Sequence, residues 1–135
     1  MTEPPGKTAP KNPGPAQGGS APTRANRVRK RAEYLEIQGD GVRVSGDCLV
    51  FICKRRAEGA PLRLGITASR KIGGAVQRSR ARRLIREAFR AVFAELPNAL
   101  DIVVIVRRPL GERKMADVLG EWQRALPRIR RSAGA

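Results

Sequence analysis

The chain has 135 residues, room for one domain, and 41% of them are hydrophobic, enough for one modest core. Lys and Arg number 28 against 12 acids, a formal net charge of +16 that repels itself and suits a polyanionic partner: nucleic acid first, an anionic membrane surface second. There is no histidine, which removes the commonest acid–base group and the commonest metal ligand and excludes histidine-based RNA cleavage.

Residues 1–23 hold six of the ten prolines and no aromatic, so they are expected to form a disordered Pro/Gly-rich tail. The tail has no apolar run, so neither a secretion signal nor a membrane anchor is expected there. Nowhere do about 18 apolar residues run together, and the expectation is a soluble, cytoplasmic protein. Residues 24–131 are expected to form the ordered domain and 132–135 a short flexible C-terminus. "NRVRKRAEYLEIQ" places Val28, Ala32 and Leu35 on one helical stripe, which the "GDG" of residues 39–41 ends.

"VRV", "CLVFICK" and "LRLGITAS" then read as strands. Cys48 and Cys53 fall in the second, where an odd separation puts them on opposite faces, so two buried, unpaired thiols are expected. The third strand alternates, with Leu62, Leu64, Ile66 and Ala68 facing one way and Arg63, Gly65, Thr67 and Ser69 the other. "SRKIGGAVQRSRARRLIREAFR", Ser69 to Arg90, reads as a helix, and "DIVVIVRR" as a buried strand that ends before Pro109. In "KMADVLGEWQRALPRIRR" Met115, Val118, Leu119, Trp122 and Leu126 recur at helical spacing, Trp122 is assigned to the core, and Pro127 is expected to stop or kink the helix. The order α-β-β-β-α-β-α predicts an α/β chain of the α+β two-layer sandwich kind. Its sheet should be mostly antiparallel, with one parallel pair bridged by the basic helix.

That basic helix carries eight Lys or Arg against one acid, Glu87. Advancing about 100° per residue from Arg78, Arg82, Arg86, Arg90 and Arg83 fill one sector, while Ala81, Leu84, Ile85, Ala88 and Val92 fill the opposite one. A solvated helix face normally mixes charges and gains from i,i+4 pairs; here the spacing sets like charges beside one another. Arginine in place of lysine also suits planar, bidentate phosphate contacts. Such a helix fits a sugar–phosphate backbone. Before it, "SRKIGG" sets Arg70 and Lys71 beside two glycines that permit close backbone approach, but the Gly-Lys-Ser/Thr of a P-loop is missing. The acids are scattered, with no pair spaced to hold two metal ions, so the chain reads as a binder whose chemistry belongs to its partner.

"LRLGITASRKIGGAVQRSRARRLIREAFR" followed by "DIVVIVRRP" resembles the bacterial ribonuclease P protein component, over roughly Asn26 to Leu126. The resemblance implies a subunit that binds a large catalytic RNA and, with it, the 5′ leader of precursor tRNA during endonucleolytic leader removal; the RNA holds the catalytic Mg2+. It also implies a left-handed β-α-β crossover around the basic helix. Carried over by position, Arg70, Lys71, Arg78, Ser79, Arg80, Arg82, Arg83, Arg86 and Arg90 would face the catalytic RNA, while Tyr34, Arg63, Thr67 and either Phe51 or Ile52 would line the leader cleft. Three features depart from the family pattern: Ser79 stands where the family has Asn, Arg70 and Arg82 replace lysines, and Gln38 stands where some members have a second aromatic. The alternative function is a ribosomal or assembly protein that uses the same fold to hold structured RNA. A membrane-surface binder is a weaker third, because the helix face it would insert is needed for the core.

Overall fold

A computed structural model describes residues 22–133. Most of the expected tail lies outside them; Thr23 already belongs to the fold, its side chain capping a 3₁₀ turn at Arg24–Asn26. Three helices and four strands follow in the expected order: α1 (Arg31–Asp40), β1 (Val42–Ser45), β2 (Leu49–Arg55), β3 (Arg63–Ala68), α2 (Ala75–Val92), β4 (Leu100–Val106) and α3 (Met115–Ser132). They build one four-stranded sheet in the order β1-β2-β4-β3. β1 and β4 flank β2 in antiparallel register, and β3 joins β4 in parallel, with α2 as the crossover.

Alternation along the strands divides the side chains between two layers. Leu49, Phe51 and Cys53 of β2, Leu64 of β3, and Ile102 and Val104 of β4 pack on α2 and α3 in the larger core cluster. Val50, Ile52 and Val103 face the other way, beneath Ile37 of α1 and Val28. Being central and covered on both faces, β4 has to be apolar almost throughout, which explains the unbroken "IVVIV". Trp122 is fully buried, with its ring 4.9 Å from Phe51 and 5.6 Å from Phe89 between centroids.

Several expectations are corrected. The stripe of Val28, Ala32 and Leu35 does not exist: α1 begins only at Arg31, Ala32 is exposed, and Leu35 is 56% exposed. Val28 lies before the helix in extended chain, where its N–H donates to Leu64 O at 3.0 Å and Arg27 bridges the outer edge of β3. Cys48 falls in the turn before β2, so strand parity does not govern it; it and Cys53 are both buried free thiols of the same cluster. Burial pushes the Cys53 thiol up to about 12.

α2 starts at Ala75, not Ser69. A 3₁₀ turn at Arg70–Ile72 precedes it, and Gly73 at φ 137° makes the junction in a backbone region that side chains disfavour. Pro127 does not end α3, which continues to Ser132. The carbonyl that loses its donor belongs to Gln123, an exposed residue, while Ile129, beyond the proline, is fully buried and holds the last turns down.

α2 and α3 lie side by side and run in the same direction. Arg80, near the start of α2, reaches the carbonyls of Gly111 and Arg113 just ahead of α3. At the other end Arg130 donates through Nε to Glu95 O at 3.0 Å, just past α2. The sheet end that carries the C-termini of β3 and β4 therefore also carries the start of both helices.

Candidate nucleic-acid interface

The residues before α1 are built to stay beside the sheet. Asn26 is buried, and its side-chain N–H donates to Leu62 O at 2.6 Å while its oxygen accepts from the Thr23 N–H at 2.8 Å. With the Val28–Leu64 bond, this holds residues 23–28 along the upper part of the β3 edge. Between this segment, α1, the rest of that edge and α2 runs a groove in two connected parts of about 850 and 490 Å³, which share Arg29, Tyr34, Ile66 and Arg82.

Arg24, Arg27, Arg29 and Arg31 line one wall and Arg82, Arg86 and Arg90 the other, and no acidic residue lines either part. On the floor, the Leu64 carbonyl already points away from β4 toward Val28. Parallel-strand alternation aims the N–H and C=O of Ile66, two residues on, into the groove.

Tyr34 is the half-buried aromatic of this groove. Its ring comes so close to Gly65 that a Cβ there would sit 2.6 Å from Cε1, and its hydroxyl is 3.4 Å from Val28 O, donating to that carbonyl. Thr67 and Gln38 line the same part of the groove, together with exposed Leu35. Phe89 is the ring that sequence reading missed. At about 20° on the helix wheel it sits between Arg78 and Arg82, closing the core from inside the arginine sector while lining the groove. Sequence reading did not single out Arg24, Arg27, Arg29 and Arg31; that they form the opposite wall follows from the long-range bonds of Asn26 and Val28.

Two residues expected in the leader cleft are elsewhere. Phe51 is fully buried against Trp122 on the α2–α3 side of the sheet, and Ile52, the alternative, is fully buried under α1, so neither can meet RNA. Arg63 sits on the α1 side but is consumed. Its Nε and Nη2 donate to the two oxygens of buried Asp101, each at 2.8 Å, and its Nη1 to Glu33 Oε2 at 3.0 Å. Arg56 adds a further contact to Asp101 at 3.4 Å. The hydrogen bond from Arg63 holds the Glu33 carboxyl below its ordinary range, helped by the Lys30 N–H. Glu33 precedes Tyr34, so this network seats the first turn of α1 on the sheet.

Of the residues expected to face catalytic RNA, Arg70, Lys71, Ser79, Arg83, Arg86 and Arg90 are exposed, and Arg78 and Arg82 are half-buried. Among the described residues, Arg83 makes the one ion pair along α2, a long one of 3.9 Å to Glu87. Arg80 is the exception, its guanidinium turned to backbone carbonyls of the β4–α3 loop.

Asp47, Cys48 and Glu121 bring ligand-type atoms within 4.8 Å of one another. Their oxygens already have other work: Glu121 accepts from the Cys48 and Leu49 N–H groups at 3.0 and 3.2 Å, and Asp47 accepts from Arg108 and Arg113. The cluster fixes the β1–β2 turn. Among the described residues, no helix is long and apolar enough to cross a membrane.

A family model described as Ribonuclease P matches residues 23–130. A ribonuclease P protein component of Gluconacetobacter diazotrophicus is 40% identical over 104 residues, covering 76% of this chain and 90% of its own. One of Thermotoga petrophila is 33% identical over 113 residues, covering 83% and 96%. Among solved structures, the RNase P protein of Staphylococcus aureus superposes with a TM-score of 0.69 at 31% identity, covering 77% of this chain and 94% of that one. The RNase P protein from Thermotoga maritima does so with a TM-score of 0.69 at 31% identity, covering 76% and 96%.

Proposed function

From the premise that the chain belongs to the ribonuclease P protein family, and is the protein subunit of that tRNA-processing ribonucleoprotein with an RNA as its partner, we propose a division of labour between two surfaces. The exposed arginines of α2, with Arg70 and Lys71, bind the phosphates of the catalytic RNA. The groove between α1 and α2 takes the single-stranded 5′ leader of precursor tRNA. The observation that carries this reading is the groove itself: seven arginines on two walls, no acid, one accessible aromatic ring and an open strand edge.

Each part has a physical role. Arginines on facing walls neutralise the phosphates of a strand passing between them. Tyr34 offers a stacking surface that accepts any base, worth about 1–3 kcal/mol per base. The outward N–H and C=O of Ile66 offer hydrogen bonds to base edges without demanding one base. Thr67 and Gln38 add polar contacts on the same side, and Leu35 an apolar one. Such a groove favours a strand by backbone and shape rather than by sequence, as a protein serving many precursors requires.

Among the described residues, no side chain is arranged to cleave a phosphodiester; the protein positions substrate, and Mg2+ held by the partner RNA would supply the activation of water. Lowering repulsion between the two RNAs is then the protein's electrostatic contribution, and it is largest where magnesium is scarce. The place of this activity is the cytoplasm.

The test is reconstitution. Combined with the cognate RNA at low Mg2+, the full-length protein restores cleavage to mature 5′ ends, and precursors with a leader bind more tightly than mature tRNA. Cleavage that is the same with and without protein under those conditions rejects the proposal, and recovery of ribosomal RNA in place of one small stable RNA points to an assembly protein.

A further inference from the structure

The strip of chain from Thr23 to Lys30 buries two side chains, Asn26 and Val28. Arg24, Arg27 and Arg29 of the same strip are exposed and carry the charge of one groove wall. Val28 is held as a strand residue is, its N–H donating to Leu64 O at 3.0 Å. Two residues earlier on that edge, just ahead of β3, lies the carbonyl of Leu62, and there the strip has no peptide N–H to offer. The Asn26 N–H is used inside the 3₁₀ turn, donating to Thr23 O at 2.9 Å. The Asn26 side chain takes its place: its amide N–H donates to Leu62 O at 2.6 Å, while its oxygen accepts from the Thr23 N–H at 2.8 Å and the Thr23 hydroxyl at 3.3 Å.

A side-chain amide carries the donor and the acceptor of a peptide group, so Asn26 adds a rung to the ladder where the main chain has turned away. Two rungs fix the direction of the strip as well as its place; with one, it could pivot about Val28. Leu62 is fully buried, so its carbonyl needs a donor from within the protein. The other polar ties of the strip do not reach the β3 edge. Arg29 Nη2 donates to Arg24 O at 3.1 Å, and the N–H groups of Arg29 and Lys30 donate to Glu33 Oε1 at 3.4 and 3.3 Å. Seven arginines and no acid line the groove, so its two walls repel each other, and the Asn26 rung acts against that push.

We propose that Asn26 is a positioning residue for the leader: it touches no RNA, and it sets the width of the groove by holding Arg24, Arg27 and Arg29 at a fixed distance from Arg82, Arg86 and Arg90. The inference rests on the leader-groove reading above and adds to it the reason why the groove exists before any strand enters. Without the amide, Leu62 O loses its donor and the strip is free to swing outward. A leader must then draw the strip back and repay its chain entropy before the phosphates are matched. Aspartate is no substitute, because its carboxylate sets a second acceptor against Leu62 O. The outer arginines of α2 keep their places in either case, so the catalytic RNA is bound as before.

The experiment assembles full-length Asn26→Ala and Asn26→Asp with the cognate catalytic RNA and titrates precursor and mature tRNA over a range of salt. Amide exchange at Val28 in the free protein reports whether the strip has come loose. For both variants the preference for precursor over mature tRNA should fall by about fivefold, with a salt slope shallower by roughly one unit and unchanged affinity for the catalytic RNA. The Val28 amide should exchange on the order of tenfold faster. Ile129→Val, a core change in α3, lowers the thermal midpoint yet should keep the full preference, which separates positioning from stability. Thr23→Val removes one contact to the same amide and should move both readouts the same way by less. In an Arg24→Gln/Arg27→Gln/Arg29→Gln background Asn26→Ala should add little. A Val28 amide that is freed while preference and slope stay put overturns the proposal and leaves the leader-groove reading standing. So does an Asn26→Ala effect that persists in full without the three arginines. If the triple variant itself keeps the whole preference, the leader-groove reading falls as well.

Discussion

Arg63 and Arg82 both stand beside the edge strand β3, and their surroundings could hardly differ more. Arg63 is 16% exposed, holds Asp101 with two hydrogen bonds and Glu33 with a third, and belongs to a group with Arg56 in which donors and acceptors are matched. Nearby, Lys54 meets Glu36 and Asp40. Arg82 lines a groove with six other arginines and no acid. Four of the chain's twelve acids, Glu33, Glu36, Asp40 and Asp101, are thus spent where α1 meets the sheet, and the groove receives none. The lesson is that a net charge of +16 is not spread evenly: the acids are placed to complete the fold, which leaves the remaining arginines for a partner.

The contrast can be broken from either side. The largest effect is expected from Arg63→Met, which strands the buried carboxylate of Asp101 with only Arg56 nearby; stability should fall by about 3 kcal/mol in urea titration. Arg82→Glu/Arg86→Glu should leave the urea midpoint almost where it was while weakening binding to the catalytic RNA by about a hundredfold at moderate salt. A variant that unfolds instead would assign these side chains to the fold. Tyr34→Ala sharpens the comparison within the groove: the extra affinity for precursor over mature tRNA should drop by about 1–2 kcal/mol, with affinity for the catalytic RNA unchanged.

The smallest effect concerns pH. Because Arg63 lowers the Glu33 carboxyl below 4.5 in the folded chain, its contribution to stability is complete above that ordinary value and is lost as pH falls through the lowered native one. The stability gap between the parent protein and Glu33→Gln should therefore close on acidification; a gap that widens would contradict the ion pair with Arg63.

Much of the architecture was readable because period-2 and period-3.6 patterns are local. The strand alternation of Leu62 to Ser69 and the order of the elements are as expected, and the outer arginines of α2 lie where the wheel places them. What sequence did not reveal depends on contacts between distant positions. Val28 has the spacing of a helical stripe, yet its N–H is taken by Leu64 in the sheet, and an apolar residue satisfies either arrangement. Phe51 and Ile52 are equally apolar neighbours, so parity could not say which layer each would enter, nor that both would be covered. Arg63 and Arg80 look like every other arginine until the residues 38 and 33 positions away that they bind are known. Pro127 misled because the helix beyond it is held by burial of Ile129, which the local pattern does not weigh against the lost hydrogen bond.

Gly65 sets a limit on how this domain can vary. Its backbone φ is ordinary, so conformation alone would admit alanine; the obstacle is the Tyr34 ring, which occupies the space a methyl group would need. An empty position on the strand is therefore the socket for the aromatic side chain. A lineage that filled it would have to move or surrender the ring, even with the tyrosine codon intact. Positions 34 and 65 form a single unit of inheritance, one contributing matter and the other the room for it.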